Sequence, residues 1–122
     1  MYPALHAGRD APVAAALLLT LLARDGRRMS ELVAAAPRYA IVKAKAARGP
    51  ALEPVYAALR RRFADAQVDT QDGLRLAWRD RWLHVRPSNT EPIIRLIAEA
   101  PSGARGGAQE LVDEARRICA AS

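Results

Sequence analysis

Between two candidate strands the chain reads Arg86-Pro87-Ser88-Asn89-Thr90-Glu91-Pro92, a stretch whose residue types and spacing suit capture of an oxyanion. An arginine presents a planar fork to two phosphate oxygens, and Ser88 and Thr90 each offer one hydroxyl donor. Asn89 suits a left-handed or tight turn, and successive backbone N–H groups can form an anion nest. The prolines fix the backbone at either end. Each charge-assisted contact is worth roughly 1.5–3 kcal/mol net, so several together would hold a phosphomonoester. On residue types alone a second reading stands beside this one: a hairpin loop whose Ser, Asn and Thr satisfy their own backbone.

Other reactive side chains offer less. Cys119 is the sole cysteine, which excludes an internal disulfide and a multi-cysteine zinc site and suits a reducing cytoplasm. It falls on the apolar face of the last helix and reads as a small buried hydrophobe. His6 and His84 have no second ligand at metal spacing, and His84 is read as a surface residue or a stacking partner of Trp82. Ser88 and His84 are too close along one strand-to-loop boundary to build a catalytic triad. Neither a zinc site nor a Ser-His-Asp triad is therefore expected from these side chains.

The elements that must position the loop follow from periodicity. Asp10 caps an apolar helix with Pro12 in its first turn, and Gly26 stops it. Ser30 reads as the N-cap of a second short helix that ends before Pro37. Tyr39 to Lys45 is a candidate strand, and Arg48-Gly49-Pro50 turns into a helix reaching about Ala64, on which Val55, Leu59 and Phe63 form one apolar stripe. Gln67–Thr70 is a weak strand; Leu74, Leu76 and Trp78, then Leu83 and Val85, alternate with polar residues, with turns at Asp72-Gly73 and Arg79-Asp80-Arg81. A further strand runs from Ile93 to Ala98. The last helix, Ala108 to Ala120, gathers Leu111, Val112, Ala115, Ile118 and Cys119 on one face.

This order predicts an α+β fold, mainly an antiparallel sheet with two helices on one face, preceded by a helical stub. We place a boundary after Pro37: residues 1–37 carry 4 basic and 3 acidic side chains, and residues 38–122 carry 15 and 10. Of the 19 basic residues 17 are arginine, which directs attention to phosphate or nucleic acid as partners, although most such arginines serve as solvated surface. The longest apolar run, Ala11 to Ala23, is about 13 residues against the roughly 20 a membrane span needs. It is followed by Arg24-Asp25-Gly26-Arg27-Arg28 rather than a small-residue cleavage site, so neither a membrane span nor a signal peptide is expected.

The loop, preceded by Asp72-Gly73-Leu74-Arg75 and Arg81-Trp82-Leu83-His84-Val85 and followed by Ile93-Ile94-Arg95-Leu96, resembles the C-terminal domain of the α-D-phosphohexomutases, a family that includes phosphomannomutase/phosphoglucomutase and phosphoglucosamine mutase. Tyr2-Pro3-Ala4-Leu5-His6-Ala7-Gly8-Arg9-Asp10 is similar to the segment that begins the last helices of the family's third domain. The resemblance implies that residues 1–37 are the helical remnant of domain three and that residues 38–122 are a TATA-box-binding-protein-like C-terminal domain. It implies that Arg86, Ser88, Asn89 and Thr90 contact the phosphate of a hexose phosphate that is not being transferred, with Glu91 and Pro92 shaping the loop. Arg95 would add positive potential without direct contact. Asn89 tilts the resemblance towards the phosphomannomutase/phosphoglucomutase branch, since the glucosamine branch usually carries glycine there. A complete mutase would interconvert hexose 1- and 6-phosphates through a phosphoserine and a bisphosphorylated intermediate, with Mg²⁺ at the transferred group. This chain shows no phosphoserine loop or magnesium site, so it is expected to be inactive alone and to bind a phosphosugar rather than nucleic acid or membrane. Two rival expectations are a basic nucleic-acid-binding module tracking a backbone with Arg60-Arg61-Arg62, and self-association through the apolar first helix.

Overall fold

The computed structural model describes Gly8 and residues 10–121. Most of the Tyr2–Asp10 segment, with His6, lies outside the described residues. The chain divides into two compact units, Met1–Pro37 and Arg38–Ser122.

In the first unit, helix α1 spans Ala11–Asp25 and α2 spans Met29–Ala35. Asp10 caps α1 through an Oδ1 that accepts the Val13 N–H at 2.9 Å, and Gly26 closes it at a φ of 75°. Helix α2 begins earlier than Ser30 implied. Glu31 Oε2 accepts the N–H of Arg28, the residue that caps the helix, at 2.7 Å, the reach-back half of a capping box, and Ser30 sits inside the helix. Neither helix buries a residue; Leu19 and Val33 are 65% and 63% exposed. Among the described residues no helix is long and apolar enough to cross a membrane.

The second unit is a five-stranded sheet with two helices, and the fold is α+β. Its elements are β1 (Tyr39–Ala47), α3 (Glu53–Arg62), β2 (Gln67–Asp69), β3 (Leu74–Ala77), β4 (Trp82–Pro87), β5 (Ile93–Pro101) and α4 (Ala108–Ala121). The strands lie in the order β1-β5-β4-β3-β2, each antiparallel to its neighbours. Period-two alternation puts Leu74, Leu76, Leu83, Val85, Ile94 and Leu96 on one face, fully buried against Val55 and Leu59 of α3 and Val112 and Ala115 of α4. Burying each such aliphatic side chain is worth roughly 1.5–3 kcal/mol, so this face supplies the hydrophobic drive of the unit. Phe63 ends the α3 stripe and meets Trp78 edge to face, with centroids 5.6 Å apart.

The alternate residues of the same strands form the other face. Lys43 and Lys45 of β1, Arg95 and Ile97 of β5, His84 and Arg86 of β4 and Arg75 of β3 pair across it. Arg75, rather than His84, covers Trp82, its guanidinium 5.7 Å from the ring centroid. His84 Nε2 lies 2.6 Å from the Asp72 carbonyl oxygen instead.

Candidate functional site

Strand β4 continues through Arg86 and Pro87, which pair with Arg95 and Ile94 of β5. Proline is tolerated there because it occupies the final position of the strand. The loop is therefore shorter than the sequence suggested and comprises residues 88–92. The Ser88 N–H donates to the Ile93 carbonyl at 2.9 Å, the Ile93 N–H to the Glu91 carbonyl at 2.8 Å, and the Arg48 N–H to the Pro92 carbonyl at 3.1 Å. Three backbone bonds thus set the loop's shape without using its side chains.

Ser88, only 5% exposed, is the centre of the cluster. Its Oγ accepts the Thr90 N–H at 3.4 Å, faces Thr90 Oγ1 at 3.5 Å, and accepts from Arg95 Nη2 at 3.4 Å. All three distances lie at the outer edge of hydrogen bonding, so each donor keeps most of its capacity for a stronger acceptor. Arg95 also carries a buried Nε with no hydrogen-bond partner. An anionic oxygen near Ser88 would find two hydroxyls, a guanidinium and a loop amide within reach.

Arg86 is placed differently. Its Nη1 donates to Asp72 Oδ2 at 2.9 Å, and the turn bearing Asp72 is pressed against β4 by Gly73. A Cβ on Gly73 would lie 2.6 Å from the Val85 carbonyl oxygen and 2.8 Å from Arg86 Cβ, and its φ is +75°. Only glycine permits both the conformation and the approach. The structure therefore brings together Ser88, Thr90 and Arg95 and pairs Arg86 with Asp72. Asn89 and Thr90 are exposed, and no non-glycine among the described residues has a positive φ, so Asn89 is not left-handed. Glu91 meets Lys45, with Oε2 3.4 Å from Nζ. The signal that could have found Arg95 is parity: it alternates with buried Ile94 and Leu96 and so shares a face with Arg86.

Elsewhere, burial pushes the Cys119 thiol and the Tyr56 phenol above their ordinary pKa values. A thiol so placed is a poor nucleophile. Among the described residues no group of three His, Cys, Asp or Glu side chains is placed to hold a metal ion.

A family model described as the phosphoglucomutase/phosphomannomutase C-terminal domain matches residues 27–117. The chain is similar to a probable phosphoglucosamine mutase of Methanopyrus kandleri, 41% identical over 93% of this chain and 25% of the relative. It is 37% identical to a phosphoglucosamine/phosphogalactosamine mutase of Sulfurisphaera tokodaii, over 97% of the chain and 26% of the relative. A phosphoglucomutase/phosphomannomutase of Thermococcus kodakarensis is 33% identical over 84% of the chain and 23% of its own length. The chain spans about a quarter of the length of these curated relatives. With the family model covering well over half of the chain, and with the antiparallel sheet and two covering helices in place, the chain belongs to the phosphoglucomutase/phosphomannomutase C-terminal domain family.

Proposed function

We propose that this domain grips the phosphate of a hexose phosphate that is not being transferred, and that a complete mutase uses this grip while interconverting hexose 1- and 6-phosphates. The observation that carries the reading is the Ser88–Thr90–Arg95 cluster, whose donors converge at long, replaceable distances. Ser88 and Thr90 donate their hydroxyls, Arg95 supplies the adjacent positive charge, and Asn89 contributes from the exposed tip. Arg86 joins the set when its guanidinium exchanges the Asp72 carboxylate for the ligand. A phosphate dianion offers the planar fork two charged oxygens in place of the one Asp72 oxygen that Arg86 now holds. In a closing enzyme such a grip favours the closed state because it forms only when substrate is present.

The Mg²⁺ that the resemblance implies for a whole mutase has no fitting donor set among the described residues. The sole cysteine and its burial suit a reducing compartment such as the cytoplasm. The nucleic-acid reading loses support because two arginines of its triplet are engaged: Arg60 pairs with Glu53, while Arg62 pairs with Glu114 at 2.6 Å and lies over Phe63.

Titration of glucose 1-phosphate into isotope-labelled protein tests the proposal. Amide signals of residues 88–91 and 95 are expected to move with an affinity on the order of millimolar, since no contacts to the sugar itself are supplied by the loop. Static loop signals, with movement confined to residues 60–62 on adding DNA, would overturn it in favour of the rival.

A further inference from the structure

Antiparallel pairing sets Lys45 of β1 opposite Arg95 of β5, and Arg95 opposite Arg86 of β4. Three cations thus share one row across three adjacent strands, and like charges directly opposed on a sheet face repel. Arg86 has the Asp72 carboxylate at 2.9 Å and Lys45 has Glu91 at 3.4 Å. Among the described residues no carboxylate reaches Arg95, whose Nη2 meets only the Ser88 hydroxyl and whose buried Nε meets nothing. Two residues further along β1, Lys43 stands opposite Ile97 on the same face. Lys43, Lys45, Arg95, Ile97 and Ala44 line an open hollow of about 410 Å³. Its walls are cationic and its floor, at Ile97, is apolar.

We propose that this hollow is a second anion subsite, adjacent to the 88–92 loop and sharing Arg95 with it, that takes a phosphoryl dianion between Lys43, Lys45 and Arg95, with any attached carbon lying on Ile97. An anion there neutralises the repulsive row and supplies a counter-charge to Arg95, which no carboxylate of the described residues reaches. The dianion is either a free phosphate ion or a second phosphoryl group on a sugar whose first phosphate sits in the loop. The subsite stands on β1 and β5 and does not require the loop to bind.

The test follows amide signals of residues 43–45 and 97 in the labelled full chain during addition of inorganic phosphate, with chloride at matched ionic strength as control. Phosphate is expected to move these signals saturably, and Lys43→Gln to weaken the midpoint about tenfold, the loss of one charge-assisted contact. Lys43 carries no ion pair to another described residue, and a dispersed amide spectrum verifies that the variant is folded. Movement that chloride reproduces, or a midpoint unaffected by Lys43→Gln, overturns the proposal. Glucose 1,6-bisphosphate separates the two sources. Joint saturation of the 43–45 and 88–91 signals, at concentrations well below those glucose 1-phosphate requires, assigns the hollow to a sugar's second phosphoryl group, and a midpoint equal to that of inorganic phosphate assigns it to the free ion. Loop signals that stay static in glucose 1-phosphate would remove the proposed function while leaving the hollow intact.

Discussion

The two faces of the five-stranded sheet are drawn from alternate residues of the same strands, yet they are governed by different requirements. On the helix-covered face, Leu74, Leu76, Leu83, Val85, Ile94 and Leu96 are fully buried, and any well-packed set of similar volume would serve. On the open face, Lys45, Arg95 and Arg86 stand side by side, an arrangement that packing does not call for and that repulsion opposes. The buried apolar side chains are concentrated on one face and the proposed ligand contacts on the other. A slip of one residue in register would exchange them.

The comparison breaks most visibly if core truncation is cheap. Leu96→Ala is expected to lower unfolding free energy by about 2–5 kcal/mol in urea titrations, whereas Ile97→Ala, one residue away on the open face, should cost less than about 1 kcal/mol. Equal losses would show that the two faces share the load. Gly73→Ala comes next, at about 1–3 kcal/mol, because the φ of +75° and the 2.6 Å approach to the Val85 carbonyl must both be relieved. An unchanged urea midpoint would mean that the β2–β3 turn does not hold Arg86 against Asp72.

Arg95→Gln sharpens the contrast from the other side. Loop affinity for glucose 1-phosphate should fall about tenfold while stability changes by no more than about 0.5 kcal/mol, since the substitution also relieves the cationic row. A large stability loss with unaltered binding would place Arg95 in the scaffold instead. The smallest effect concerns Glu114, whose carboxyl the hydrogen bond from Arg62 holds below the usual carboxylate range, against desolvation and with help from the Arg117 charge. Because the folded value is the lower one, this pair stabilises the protein above the ordinary carboxylate range and ceases to do so as pH falls through the folded value. Glu114→Gln should melt slightly lower than the parent at neutral pH, and the two curves should converge in acid.

Much of the scaffold was legible because its signals are local. The Val55, Leu59 and Phe63 stripe, the Leu74 and Leu76 alternation and the Gly26 stop each depend on a few neighbouring residues, and all appear where periodicity put them. What could not be read depends on partners distant in the chain. Strand β4 extends through Arg86 and Pro87 because β5 pairs with it, and this non-local ladder turns Arg86 towards Asp72. The same register brings Arg95 beside Ser88, a contact the loop sequence alone did not disclose. The start of α2 was misplaced because Glu31, not Ser30, supplies the capping group. The apolar run of α1 was visible, but its exposed Leu17, Leu19 and Leu21 show that hydrophobicity forecasts a wish for burial, not the neighbour that provides it.

In the proposed grip the 88–92 loop with Arg95 recognises a phosphoryl group, and the ³¹P resonance of glucose 1-phosphate reports on that group alone. The parent protein should broaden and shift this line, and a Ser88→Ala/Thr90→Val double variant with an intact amide spectrum should leave it close to its free position. An identical ³¹P response from parent and double variant would contradict the account.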